Sequence, residues 1–397
     1  MVIRSLPYFS LCLLMAILIT GCAKKALENK QDPVISSIVP MISHGGDTIV
    51  AHGSNFPADR SQISLSLNNK PLSILNASPD SVQAVVPMKA GSGKIVMSVS
   101  GKTFVGPEFT YDPKVVVTTI AGNGQVGTAD GAGLGASFNC PWGIACAKNG
   151  DLFVADCYNR LIRKISAADF TVSSFSIPTL VNGQNFYSPY NLAIDSNTNN
   201  LFVTDFNLHL MRMDPAGNMT VIYTDSMPLT GIAVSPDGMN LYISNNTAGT
   251  IVRTDINGNN KTVFTAGLTT PRNLIFDSQG QLFVAAYPAS VYSISNTGIA
   301  SPYSTDPEFQ GWEMAKDTSG NIYLADHFKN RIRKIDPSGN VTTIAGSGNA
   351  ADIDGIGLDA SFDGPQGITM DAFGNLYITT FNYNTNTGNR VRKVSFQ

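Results

Sequence analysis

The chain has 397 residues, a formal net charge of −3 and only 14% charged residues. That balance supplies no basic face to neutralise phosphates, which excludes nucleic acid as a partner. The sequence holds no Ser/His/Asp elbow, no P-loop and no cysteine pair at zinc spacing, so no cofactor is implied.

Residues 1–21 carry Arg4, an apolar run from Phe9 to Ile19 and small residues before Cys22. The run is too short to span a bilayer as a stable helix and reads as an export signal. Ile19-Thr-Gly-Cys22 resembles a bacterial lipobox, which implies cleavage before Cys22 and lipidation of that cysteine. Several acyl chains anchor firmly, because each buried methylene contributes about 0.8 kcal/mol and one chain alone is marginal. Residues 22–32 are a polar tether. The absence of Asp directly after Cys22 resembles enterobacterial lipoproteins of the outer membrane. The tether's acids, Glu28 and Asp32, lie beyond two lysines, so the face of that membrane stays open between periplasm and exterior.

Residues 33–113 form a separate domain. Short β-rich runs, among them Ile63–Leu67 and Val82–Val86, alternate with turn signals and predict a β-sandwich. The string P-x-I-x-S-I-x-P, the segment G-G-D-T-I…G-S-N-F and the closing F-T-Y resemble the IPT/TIG immunoglobulin-like domain. The resemblance implies a spacer or interaction module.

Residues 114–397 are repetitive. TTIAGNGQVGTADGAGLGASFNCPWGI at Thr118 returns as TTIAGSGNAADIDGIGLDASFDGPQGI at Thr342. Six units share one plan, with a period of roughly 40 to 54 residues, as expected for four-stranded propeller blades. Each has an entry turn into a first strand (PWGIACA, PYNLAID, LTGIAVS, PRNLIFD, GWEMAKD, PQGITMD). A polar turn precedes a second strand such as LFVAD or IYLAD, and a third follows, such as RLIRKIS or RIRKIDP. The P-x-G-I entry, the N-L-Y-V-A-D-like second strand and the N-R-I-R-K-I third strand resemble NHL repeats, which implies a six-bladed β-propeller. Unit four departs most, with Ala285-Ala286 for the Ala-Asp pair and no arginine in its third strand.

The chain ends on a third strand, RVRKVSF, whereas the array opens on an unpaired fourth-strand sequence at Val115. Pairing Val115–Ala121 with Val391–Phe396 would close the ring and remove exposed sheet edges. The expectation is thus an all-β chain: an immunoglobulin-like β-sandwich, then a six-bladed β-propeller closed by its N- and C-terminal strands.

Some related propellers are amidating lyases with a histidine-bound zinc, or lactonases with a carboxylate-held metal. A catalytic zinc needs three protein ligands, and the repeats hold only His209 and His327. Asp156, Asp205 and Asp326 end second strands, with Asn245 at the matching place, and read as turn caps of the repeat. Asp130-Gly and Asp354-Gly likewise read as turn residues. A non-enzymatic protein is expected, with a metal-dependent lyase or lactonase as the alternative.

Trp142 and Trp312 occupy one position of the repeat, before the first strand, where other units hold Tyr190, Thr230, Arg272 and Gln366. First strands line a propeller's channel, so these residues are expected around its partly exposed mouth. Trp142 and Trp312 would flank one ligand, with Arg272 and Gln366 supplying hydrogen bonds. Loops after the second strands add Tyr158, Phe206, Tyr287, Phe328, Phe381 and Tyr383. Aromatics with polar neighbours at a concave mouth fit a glycan; packing between blades is the plainer explanation. The expected partner is an extracellular polysaccharide or oligosaccharide, with an envelope protein on the propeller face as the rival and the membrane reached through the lipid on Cys22. Cys140 and Cys157 fall at the same end of blade 1, where a disulfide is open in an oxidising envelope if their Cα atoms lie within about 7 Å. Cys146, inside a first strand, is expected free and buried.

Overall fold

The structure, a computed structural model, describes residues 31–397 apart from 177–179, 182, 186, 206–207, 278, 288–289 and 306–310. Cys22 with its leader and most of the tether therefore lie outside the described residues, as does Phe206.

Eight strands between Val34 and Tyr111, β1–β8 in chain order, make the first domain. They form one continuous ladder in the spatial order 1-3-6-5-4-7-8-2, not two separate sheets. The expected sandwich is thus closer to a barrel. Strand β5 (Lys70–Ala77) is the reason: Leu72 pairs with Leu65 on one side, and beyond it Ser73–Ala77 pairs with Val85–Val82 on the other. A bulge between Ile74 and Asn76 bends the strand as it passes. The curled ladder closes over Ile38, Ile49, Leu65, Leu67, Ile95, Met97 and Phe109.

Six antiparallel blades follow, each of four strands, with the short strand Gly355–Ile356 added at the outer edge of the sixth. Blade 1 is Pro141–Cys146, Leu152–Asp156, Leu161–Ile165 and Val172–Ser176. First strands begin at Pro189, Leu229, Pro271, Met314 and Pro365 in blades 2 to 6. Second strands are apolar on both faces because each is covered by two neighbouring blades. In blade 5, all of Ile322–Asp326 is buried.

Closure is as expected. Val115–Ala121 is the fourth strand of blade 6, running from Phe396↔Val115 to Val391↔Ala121. Each pair of adjacent blades shares an apolar cluster. At the seam, Ile120, Ala121 and Val391 meet Ile144, Leu152, Val154 and Ile165 of blade 1.

The duplicated loops are more than turns. In the first, Asp130 pairs with Arg163 at 2.7 Å, and Arg163, fully buried, also reaches Asp156 at 2.8 Å and the Ser137 carbonyl at 2.7 Å. In the second, Asp354 and Asp352 each lie 2.8 Å from the fully buried Arg392, which also bonds the Ser361 carbonyl. Each loop is thus riveted to its blade by an arginine of the third strand, a role that Asp130-Gly and Asp354-Gly do not show as turn residues alone.

Candidate functional site

The first strands crowd the channel so closely that alternate positions lack room for a side chain. A Cβ on Gly231 would lie 1.9 Å from the Arg272 carbonyl oxygen, and one on Gly367 2.3 Å from that of Trp142. The same place in blades 2, 4 and 5 holds Asn191, Asn273 and Glu313, which fill the channel. Asn191 donates to Glu313 Oε1 at 2.9 Å, the Ile368 amide donates to Oε2 at 3.3 Å, and the Met314 amide donates to Asn273 at 3.1 Å. Burial pushes the Glu313 carboxyl up to about 8 against the downward pull of the Ile368 amide. Glu313 was missed in the sequence. A single Glu where sister units have Gly or Asn was its available signal.

Above this floor lies a connected set of rings. Trp142 meets Tyr190 at 4.4 Å, Trp312 edge-on at 5.4 Å and Tyr383 at 5.5 Å between centroids. Tyr383 continues to Phe381 at 5.0 Å, and Phe381 to Tyr158 at 5.9 Å. Trp312 also touches His327 and Phe328. Arg272 lies over Trp312, its guanidinium carbon 3.5 Å from the ring centroid, and is hydrogen-bonded to Tyr190. The Tyr287 ring centroid lies 5.5 Å from the same guanidinium carbon.

These rings border a cleft of about 1030 Å³. Of the expected residues, Trp142, Tyr158, Tyr190, Thr230, Arg272, Trp312 and Tyr383 line it. Tyr287 and Phe328 are exposed on the rim without lining it. The expectation fails for Gln366 and Phe381, which are 0% and 2% exposed. Gln366 turns inward to donate to the Phe381 carbonyl at 3.1 Å, so neither faces the mouth. Trp142 and Tyr190 are each 6% exposed, deeper than a partly open mouth implies. The two tryptophans touch, so they form one wall and do not flank a ligand from two sides. Blade 3 adds Asn246 and Thr247, and the approach to blade 2 adds Tyr187 and Ser188.

The histidines have separate settings. His209 packs in blade 2, with Nδ1 2.8 Å from Asp205. Burial lowers His327 to about 4, leaving a neutral ring against Trp312. Asp156 and Asp326 pair with third-strand arginines, and Asn245 accepts from the Ala248 amide as a turn cap. Among the described residues, no three of His, Cys, Asp and Glu are grouped as metal ligands. Cys140 and Cys157 are free and buried in the cluster under the mouth, and Cys157 borders the cleft. Cys146 is free and half-buried, its thiol pushed up to about 12 by burial.

The IPT/TIG domain model matches residues 33–111, and the Teneurin NHL domain model matches residues 113–305, through the last strand of blade 4. A protein of unknown function from Bacteroides thetaiotaomicron is 22% identical, with a TM-score of 0.65 over 93% of this chain and 99% of its own. An auxiliary nutrient binding protein from Bacteroides ovatus is 19% identical, with a TM-score of 0.58 over 93% and 99%. A gluconolactonase from Xanthomonas campestris is 13% identical, with a TM-score of 0.51 over 72% and 95%. At such identities the likeness is one of fold. The curated relative Protein SUPPRESSOR OF QUENCHING 1 of Arabidopsis thaliana is 51% identical over 49 residues, 12% of this chain, which spans only 5% of that relative's length. The chain therefore joins an IPT/TIG domain to a six-bladed propeller of the NHL type.

Proposed function

We propose that this chain is a non-catalytic binding protein that holds an extracellular glycan in the propeller cleft and is anchored to the outer membrane through a lipid on Cys22. The observation that carries the binding reading is the aromatic lining of a 1030 Å³ cleft, where exposed Tyr158, Tyr187 and Tyr383 and half-buried Trp312 stand beside the packed Trp142 and Tyr190, with polar groups of Asn246 and Thr247. Sugar rings have apolar faces that rest on aromatic rings and hydroxyls that need polar partners. The auxiliary nutrient binding protein of the same fold supports a binding role. A glycan array probed with the purified full chain tests it, and failure to retain any glycan overturns it.

The gluconolactonase of similar fold is the ground for a second reading, a metal-dependent lactonase, although the described residues group no three of His, Cys, Asp and Glu as ligands. Stoichiometric metal in the purified protein, with lactone hydrolysis lost in Glu313→Gln, would select it over binding alone. The anchor has its own test. Acyl groups on Cys22 by mass spectrometry are expected in the wild type, whereas Cys22→Ser should leave the membrane fraction.

A further inference from the structure

Among the described residues that line the cleft, Arg272 alone carries a charge, and none of the others is Asp or Glu. It enters from the blade 4 entry turn, at the position where sister blades place aromatic or neutral polar residues. Its guanidinium carbon lies 3.5 Å from the Trp312 ring centroid and 5.5 Å from that of Tyr287, and its Nε is buried without a hydrogen-bond partner among the described residues. Burial lowers its pKa, and among the described residues the side chains that favour its charge are the phenols of Tyr190, Tyr287 and Tyr383, with no carboxylate. Glu313 shares the channel beneath but keeps its proton at neutral pH, so it does not neutralise the arginine. A cation removed from water without a counter-ion is costly, and stacking on tryptophan offsets only part of that cost. An anionic group on a ligand offsets the rest, and guanidinium suits planar bidentate acceptors.

Building on the glycan reading above, we propose that the cleft takes an acidic saccharide. Its ring rests on the aromatic lining at Tyr383 and Trp312, above the packed Trp142 and Tyr190, and its carboxylate or sulfate ester pairs with Arg272. Asn246 and Thr247 of blade 3, which stands across the ring from blade 6, take its hydroxyls.

The test presents the purified full chain to an array of neutral, uronate and sulfated glycans. Titration then follows with an oligogalacturonate, its methyl ester, a sulfated galactan oligosaccharide and a neutral galactan oligosaccharide. The expected result is binding of at least one anionic probe about tenfold or more tighter than its neutral counterpart, weakening as salt is raised. Which anionic probe binds separates carboxylate from sulfate as the source. Arg272→Gln should remove the preference and leave the weaker neutral binding, whereas Arg272→Lys should retain part of it. If Arg272→Gln does not fold, the acid-against-ester comparison on the wild type still decides. Equal binding of acid and ester, or selection of neutral glycans only, overturns the inference and leaves the glycan reading standing. No binding to any glycan overturns both.

Discussion

Trp142 and Trp312 meet edge to face with ring centroids 5.4 Å apart, although the whole of blade 6 lies between their blades in the ring. The pair spans the channel mouth and joins the two ends of the aromatic wall. Trp142 is the packed member, wedged among Tyr190, Tyr383 and Trp312; Trp312 is half-buried under Arg272. The two should therefore respond differently to truncation. Trp142→Ala should cost about 3–5 kcal/mol of stability, the usual penalty for emptying a buried aromatic site. Trp312→Ala should cost less stability and weaken glycan binding by about 2 kcal/mol, roughly thirtyfold. Thermal denaturation and titration with the glycan selected by the array measure both. Asn259→Ala, in an exposed outer turn, should change neither. Equal loss of stability in both tryptophan variants would make Trp312 a packing residue only.

The arginine rivet of blade 6 gives a graded expectation. Arg392 and Asp352 are both fully buried and 2.8 Å apart, whereas the Asp354 side chain is 49% exposed. Asp352→Asn should cost about 3–5 kcal/mol by leaving a buried guanidinium undercompensated. Asp354→Asn should cost about 1 kcal/mol or less, as for an exposed pair. Denaturant midpoints compare the two, and the reverse order would contradict the geometry.

Blade boundaries, the strand plan and the closing strand were legible because each rests on local pattern: apolar runs, turn residues and a missing fourth strand. Depth was not legible. The repeat places Gln366 and Trp312 at one register, yet one is sealed inward and the other opens to the cleft, because neighbouring blades decide which side chains are covered. Phe381 disappears beneath Tyr383 for the same reason. The single ladder of the first domain was hidden because β5 serves both halves through a bulge, and no residue pattern marks that. The ion pairs of Asp130 and Asp354 span more than 30 residues, so a turn reading saw only their local half.

Closure of the ring has a direct test. Val117 is fully buried, pairs with Val394 and packs in the cluster shared by blades 5 and 6. Val117→Asp should unfold the propeller or lower its stability by several kcal/mol, because the carboxylate has no partner there. Val105→Asp, on an exposed strand position of the first domain, is the matched control and should be tolerated. Similar behaviour of the two in a melting experiment would mean that the seam contributes little.

Glu313 sets a pH dependence of its own. Its carboxyl ionises near 4.5 when exposed and near 8 when buried in the channel. Unfolding between those values releases a proton, so the contribution of the neutral acid to stability is full below pH 4.5 and is lost as pH rises through 8. The loss runs at about 1.4 kcal/mol per pH unit within that window. His327, neutral when folded down to about 4 and ordinarily titrating near 6.5, acts in the opposite sense and only on the acid side. Denaturant titrations between pH 6.5 and 7.5, below the range in which the buried thiols of Cys140 and Cys146 contribute, therefore isolate Glu313. Wild-type stability should fall over that range relative to Glu313→Gln, whose amide does not titrate. The slopes carry the comparison, since the amide rearranges the hydrogen bonds from Asn191 and the Ile368 amide and shifts the absolute values. Parallel slopes would mean that Glu313 is ionised in the folded protein, and Arg272 would then share its channel with a negative charge.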